Sequence, residues 1–188
     1  MIARDEAKLE NEVLAAVDAA FAEARLRAGD WLACKPGCDE CCRKPFAITA
    51  TDARRLQNGL ALLDPCTRKD IEERASRARQ QIAQDFPGDS GVLTGNEEWR
   101  EWFFTRHAGV PCPVLNLETG ECRLYAHRPV ACRLAGPLIQ IGPTHTDPCH
   151  LCFIHASEND IQSTKIVVDL PQFKEEAAES ETLIAWIL

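Results

Sequence analysis

The sequence predicts an α+β fold that is mainly helical, in which amphipathic helices cover an irregular, cysteine-rich core with a small β-hairpin. Near the N-terminus apolar residues recur every three or four positions, which is typical of a helix. Four cysteines fall within the stretch 34–42, and apolar runs flank a Gly-containing turn at 118–121, which is typical of a hairpin. With 188 residues the chain is long enough for a core of its own, so we expect a single domain over residues 1–188.

The first element is an amphipathic helix predicted over residues 5–28. Charged residues separate its apolar positions, which are Leu9, Val13, Leu14, Val17, Ala20, Phe21 and Ala24. A stripe of this kind is usually buried against the core of its own domain. Gly29 follows directly and is expected to end the helix.

Two more helices are predicted from their capping residues. Thr49 or Thr51 can cap a helix whose apolar side extends to Leu63, because a hydroxyl oxygen accepts the free N–H groups of the first turn. Asp64-Pro65 starts the next helix, which reaches about Phe86, since Asp caps well and Pro fits the first helical position.

A fourth helix is rich in aromatic residues and is expected to pack in the core. Asn96 can cap it and Gly109 can close it. Its aromatic residues are Trp99, Trp102, Phe103 and Phe104. A surface for stacking a substrate is the less favoured interpretation.

The second half of the chain predicts short extended elements and a final helix. The hairpin around Glu118–Glu121 would bring Cys112 and Cys122 towards the same end. Short strands are expected at 138–141 and 166–168, and a C-terminal helix at about residues 173–188.

Composition and charge argue against several classes of partner. The formal net charge of −8 disfavours nucleic acid, whose affinity for proteins depends largely on Lys and Arg. No apolar run approaches the ~20 residues of a membrane span, and the charged N-terminus does not look like a secretory signal. We therefore expect a soluble cytoplasmic protein with neither a nucleic-acid nor a membrane partner.

The stretch 34–42 indicates a metal centre. Apart from its four cysteines it consists of Lys35, Pro36, Gly37, Asp39 and Glu40, so the thiols are not core filler. Several thiolates at these spacings can converge on Zn²⁺ or on an iron–sulfur cluster. Disulfides are the less favoured alternative, because a reducing cytoplasm keeps thiols reduced and adjacent cysteines seldom pair without strain.

A second cysteine motif, Cys149–Cys152, has the two-residue gap of many metal sites, and we call it the knuckle. Cys66 stands alone in the first turn of a predicted helix and is expected to be a structural or incidental thiol and not a ligand. His150 is expected to point away from the metal, which leaves all-Cys coordination. The candidate metal ligands are Cys34, Cys38, Cys41, Cys42, Cys112, Cys122, Cys132, Cys149 and Cys152. Since four thiolates complete one zinc site or one [4Fe–4S] cluster, nine thiols suit two centres, or one centre with several packing thiols.

Three motifs together resemble a known family. They are Cys34-x3-Cys38-x2-Cys41-Cys42, Pro111-Cys112-Pro113-x-Leu115, and Gly120-x-Cys122-x2-Tyr125-x2-Arg128-Pro129-x2-Cys132-Arg133. This combination resembles the YkgJ-type cysteine-cluster family, also called CxxCxxCC, although the first gap here is three residues. The resemblance covers about residues 31–152 and implies a zinc- or iron-chelating core there. Flagellin lysine-methylating proteins contain a related cluster.

Three kinds of function are open at this point. The first is a small metalloprotein whose zinc, iron or [4Fe–4S] centre is structural or carries metal or electrons. The second is an iron–sulfur-dependent oxidoreductase or protein-modifying factor, for which no separate catalytic motif is present, so the catalytic residues are unknown. The third is an interaction module held together by zinc. The expected partner is the metal ion or cluster, and a further protein or redox partner is left open.

Overall fold

A computed structural model describes residues 2–86, 91–141, 144–169 and 181–188. The helices are α1 (Ile2–Ala28), α2 (Ala50–Ala61), α3 (Pro65–Ile82), α4 (Glu97–Arg106), α5 (Val130–Leu134), α6 (Glu158–Ser163) and α7 (Ile184–Ile187). The strands are β1 (Ala47–Thr49), β2 (Ile139–Ile141), β3 (Thr144–His145), β4 (Ile166–Val168) and β5 (Glu181–Leu183). This mainly helical arrangement with small sheets confirms the predicted α+β class.

The chain forms two compact units, and each unit is built from two separate stretches. The first unit comprises the described residues of Met1–Lys35 and Val130–Ala178, and the second those of Pro36–Pro129 and Glu179–Leu188. A single domain over residues 1–188 stays a prediction. The cysteine-rich stretch 31–152 contributes to both units.

In the first unit, α1 lies against α5 and a three-stranded sheet. The order of the sheet is β3-β2-β4, in which β2 is antiparallel to β3 and parallel to β4. The predicted apolar stripe supplies the core, where Val13, Val17, Ala20 and Ala24 are buried with Val130, Ile139 and Ile166. Gly29 has a positive φ of 52° directly after α1, as expected for a residue that ends a helix.

In the second unit, the predicted caps start α2 and α3. The Thr49 side chain accepts a hydrogen bond from the Asp52 amide at 3.1 Å. Asp64 accepts from the amides of Cys66 and Thr67, each at 3.0 Å, and Pro65 occupies the first helical turn. Both predicted caps are confirmed. They could be predicted because capping depends on residues within one turn of the chain.

Helix α4 supplies the aromatic core of the same unit. Asn96 accepts a hydrogen bond from the Trp99 amide at 2.9 Å, which confirms the predicted cap. The helix ends at Arg106, short of the expected Gly109. Phe103 is fully buried, with its ring centroid 4.9 Å from that of Trp99 and 6.0 Å from that of Phe86. The prediction of an aromatic core is therefore confirmed for Phe103, with Trp99 and Phe104 packed on the same cluster, whereas Trp102 is 47% exposed and is not core.

The C-terminal helix predicted over about residues 173–188 is wrong for Glu181–Leu183. This segment is strand β5, which pairs antiparallel with β1 so that Leu183 lies opposite Ala47. The pairing satisfies backbone groups that β1 would otherwise leave open, and it buries Leu183. Only Ile184–Ile187 is helical, and residues 173–180 lie outside the described part of the chain.

The predicted hairpin is present with little regular pairing. Leu115 and Cys122 form an isolated antiparallel bridge. The Asn116 amide donates to the Glu121 carbonyl at 2.8 Å, and the Arg123 amide donates to the Val114 carbonyl at 2.9 Å. Pro113 has no N–H to extend the ladder.

In the described ranges, no helix is long and apolar enough to cross a membrane.

Candidate metal centre

The ten cysteines separate into two groups according to unit. All ten lie in the described residues, and none of them is joined in a disulfide there. The second unit contains Cys38, Cys41, Cys42, Cys66, Cys112 and Cys122. The first unit contains Cys34, Cys132, Cys149 and Cys152. The 34–42 motif is therefore divided after its first cysteine.

In the second unit, backbone hydrogen bonds tie the double cysteine to the segment before the hairpin. The Cys112 amide donates to the Cys42 carbonyl at 2.7 Å, and the Gly109 amide donates to the Arg43 carbonyl at 2.8 Å. Cys42 itself ends a short 3-10 turn, Glu40–Cys42. Two adjacent thiols are thus held beside the proline-flanked Cys112.

The hairpin adds Cys122 to the same group. Its bridge to Leu115 holds it near the buried Cys112, and both residues lie at one hydrophobic cluster together with Cys42. The Arg74 guanidinium of α3 holds this segment by donating to the carbonyl oxygens of Leu115 and Cys112. Cys42, Cys112 and Cys122 therefore share one apolar environment.

The loop that carries Cys38 lies against the turn of the hairpin. A Cβ atom at Gly120 would be 2.5 Å from the Gly37 carbonyl oxygen, and Gly120 has a positive φ of 72°. Only glycine meets both conditions without displacement of the backbone. The spacing of the cysteines in the sequence did not predict this contact. The only signal in the sequence was that each of the two segments contains a glycine.

Electrostatics distinguish the thiols of this group. A hydrogen bond with the Cys42 thiol, assisted by the nearby Arg128 guanidinium, lowers the pKa of Cys41 to about 7. Burial raises the pKa of Cys112 to about 12, and burial also raises the pKa of Cys122. Negative charge on Cys41 raises the pKa of both further, so the three sulfurs lie within electrostatic range.

Arg128 is held next to these thiols by Tyr125. Its Nε donates to the Tyr125 carbonyl at 3.1 Å, and its guanidinium lies 3.7 Å from the centroid of the Tyr125 ring. A cation in this position favours thiolates. From the sequence, Arg128 was a candidate to stabilise nearby thiolates or to bind an anionic substrate, with an ordinary salt bridge to an acidic residue at least as favoured.

In the first unit, Cys34 meets the segment that follows α5. Its Sγ lies 3.8 Å from the Ala135 carbonyl oxygen. A Cβ at Gly136 would lie 2.4 Å from the same Sγ, and the φ of Gly136 is 118°. The carbonyl of Gly136 accepts a hydrogen bond from the Cys149 amide at 3.0 Å.

The knuckle of the first unit is closed by its own hydrogen bond. The Cys152 amide donates to the Cys149 carbonyl at 2.7 Å, and the next amide, of Phe153, donates to the Trp31 carbonyl at 2.8 Å. Cys152 and Phe153 are buried in a cluster on which Cys34 and Cys149 also pack. His150 is exposed within the knuckle, and Cys132 lies on α5.

The donor sets fit a metal that prefers thiolates. Among the described residues, no three His, Cys, Asp or Glu side chains already surround one point as the ligands of a metal do. Each unit nevertheless holds at least four thiols on interconnected backbone segments, and thiolates repel one another until a cation joins them. Cys66 is different, since it is exposed in the first turn of α3.

Comparison with known proteins gives one result. A family model, "CxxCxxCC: Putative zinc- or iron-chelating domain", matches residues 33–160, which is more than half of the chain. The match confirms the resemblance based on the cysteine motifs, and it includes the Cys149–Cys152 knuckle. Searches of curated proteins and of solved structures find no match.

Proposed function

The chain belongs to the CxxCxxCC family of zinc- or iron-chelating domains, and from this premise we propose that the second unit binds a zinc or iron centre through cysteine thiolates. The proposed ligands are Cys38, Cys41, Cys42, Cys112 and Cys122. The observation that carries the proposal is the 2.7 Å hydrogen bond from the Cys112 amide to the Cys42 carbonyl. It holds a buried thiol beside two adjacent ones.

The surroundings suit bound thiolates. Cys42, Cys112 and Cys122 adjoin an apolar cluster that excludes water, so the charge of the thiolates has to be balanced locally. Arg128, stacked on Tyr125, supplies one positive charge. The bound metal cation would balance the rest of the thiolate charge.

Four of these five thiolates would complete either a tetrahedral zinc ion or a [4Fe–4S] cluster. Zinc would stabilise the junction of the 34–42 stretch with the hairpin, whereas a cluster would add electron transfer. In both cases the thiols must stay reduced, which is consistent with the cytoplasmic location that we propose.

The test is metal analysis with a visible absorption spectrum on protein purified without oxygen. We expect either stoichiometric zinc in a colourless protein or iron with acid-labile sulfide in a brown one. Cys42→Ser should remove the metal bound by the second unit, while Cys66→Ser, the same exchange at an exposed cysteine of the same unit, should retain it. Wild-type metal content in the Cys42→Ser protein would contradict the proposal.

A further inference from the structure

We propose that the first unit forms a second metal centre from Cys34, Cys132, Cys149 and Cys152. Cys34 would then bind a different metal from the cysteines that follow it in the 34–42 motif. The inference shares the thiolate chemistry of the function proposed above, but it concerns a separate set of ligands. Its centre is a site of four cysteine thiolates for a zinc ion or an iron–sulfur cluster.

The segment Ala135–Gly136 connects three of these cysteines. It directly follows α5, which carries Cys132. Cys34 meets it through its sulfur, 3.8 Å from the Ala135 carbonyl oxygen. Cys149 meets it through its backbone, by the 3.0 Å hydrogen bond to the Gly136 carbonyl. Three stretches that are distant in sequence therefore lie at one short turn.

Gly136 leaves room for the sulfur of Cys34. A Cβ atom on Gly136 would approach this sulfur to 2.4 Å, far inside van der Waals contact, and the φ of 118° also excludes ordinary side chains. Any larger residue would push Cys34 away from the turn. The close approach of Cys34 thus depends on glycine at this position.

The knuckle supplies the fourth cysteine, Cys152, and holds it close to Cys149. Cys149 and Cys152 are separated by two residues and joined by a 2.7 Å backbone hydrogen bond. Phe153, the next residue, has a φ of 58°, which non-glycine residues seldom adopt. Its amide is held by the Trp31 carbonyl, three residues before Cys34. The knuckle and the segment leading to Cys34 are therefore fixed to each other.

The donor set defines the kind of ligand. Four thiols, of which Cys34, Cys149 and Cys152 share one apolar cluster, favour a soft, thiolate-preferring metal over calcium or magnesium, which take oxygen ligands. On binding, each thiol that becomes a ligand releases its proton to the solvent. The Arg25 guanidinium donates to the Cys34 carbonyl and places positive charge beside the resulting anionic site.

The test combines metal analysis with cysteine alkylation, read peptide by peptide by mass spectrometry on the full chain. In Cys149→Ser/Cys152→Ser we expect half of the metal to be lost and Cys34 and Cys132 to become reactive, while Cys41, Cys42, Cys112 and Cys122 stay protected. In Cys41→Ser/Cys42→Ser we expect the reverse, with Cys34, Cys132, Cys149 and Cys152 still protected. Metal analysis of this second variant identifies the group bound by the first unit. Iron with acid-labile sulfide would indicate a cluster, and zinc would indicate a zinc site.

Substitution of a glycine tests the same site with all cysteines present. Gly136→Ala should expose Cys34 to alkylation and lower the metal content. Gly109→Ala is the matched control, because its φ of 102° is similar but nothing lies within 4 Å of the added Cβ. The control should retain the protection of Cys34.

Two results would overturn the inference. One is that Cys34 and Cys132 remain protected when Cys149 and Cys152 are replaced. The other is that the Cys41→Ser/Cys42→Ser protein loses protection of the first-unit cysteines, which indicates one centre that uses all of them. If instead this protein keeps all of its metal while Cys149→Ser/Cys152→Ser loses it, the second-unit proposal fails and the first-unit centre stands.

Discussion

The backbone amide of Cys112 donates a 2.7 Å hydrogen bond to the carbonyl oxygen of Cys42, although the two residues are far apart in the sequence. This bond brings the segment before the hairpin against the double cysteine. It depends on the backbone and not on the thiols, so the segments are joined before any sulfur binds a metal. Changes in the core beneath them should therefore affect stability and metal retention together.

Leu56→Ala should destabilise the second unit and weaken its hold on metal. Leu56 is 0% exposed in the cluster that also contains Cys112 and Leu115, and truncation of such a leucine costs about 2–5 kcal/mol. Leu62→Ala is the control, since Leu62 is 79% exposed and its loss should change stability by no more than ~0.5 kcal/mol. Urea denaturation followed by circular dichroism, with metal analysis of each protein, measures both effects. Equal stability of the two variants would contradict the core assigned to this unit.

Gly120→Ala should separate the loop of Cys38 from the hairpin turn. The added Cβ would lie 2.5 Å from the Gly37 carbonyl oxygen, and the positive φ adds strain, for a combined cost of about 1–3 kcal/mol. Gly29→Ala has a positive φ of 52° with nothing within 4 Å, so it reports strain alone. Thermal denaturation compares the two, and Gly120→Ala should have the lower midpoint. A higher midpoint for Gly120→Ala than for Gly29→Ala would show that the contact is unimportant.

Asp18→Ala should weaken the packing of α1 on α5. Arg133 is 7% exposed, and its Nη1 donates to both carboxylate oxygens of Asp18, at 2.8 and 2.7 Å. Removal of this charged acceptor from a buried guanidinium should cost about 1–3 kcal/mol. Glu12→Ala on the same helix removes an exposed pair with Lys8 at 3.8 Å and should cost no more than ~0.5 kcal/mol. Urea denaturation of both variants checks the difference, which should disappear if the Arg133 contact has no role.

The stability of α3 should depend on pH through Asp64. Hydrogen bonds from the side chain and the amide of Thr67 lower the pKa of this carboxyl below its usual range. The carboxylate therefore stabilises the fold above the ordinary carboxyl pKa, and this contribution is lost as the pH falls through the lowered value. Asp64→Asn keeps a capping oxygen but cannot titrate.

Relative to the Asp64→Asn protein, the wild type should lose stability as the pH falls from neutral to about 3. Denaturation midpoints of both proteins, measured after removal of metal by a chelator, separate this effect from the protonation of metal ligands. A constant difference between the two proteins across this range would contradict the role of Asp64.

Helix starts could be read from the sequence because they depend on neighbouring residues. Thr49, Asp64 and Asn96 each cap the helix that was predicted to begin there, through bonds within one turn. The buried face of α1 and the aromatic core of α4 follow in the same way from periodicity. The C-terminal segment was different: Glu181–Leu183 pairs with Ala47–Thr49, and no local pattern indicates a partner so distant.

The cysteines follow the same division. Their number, their spacing and the family they indicate were evident from the sequence. Several thiols in an otherwise polar stretch indicate metal binding whatever the fold. The assignment of the cysteines to groups was not evident from the sequence, since the chain passes from one unit to the other between Lys35 and Pro36, inside the 34–42 motif. Contacts such as Cys34 with Ala135, and the amide of Cys112 with Cys42, join residues that only the folded backbone brings together. Local hydrogen bonding and periodicity are properties of neighbours, whereas which thiols can share a metal depends on long-range packing.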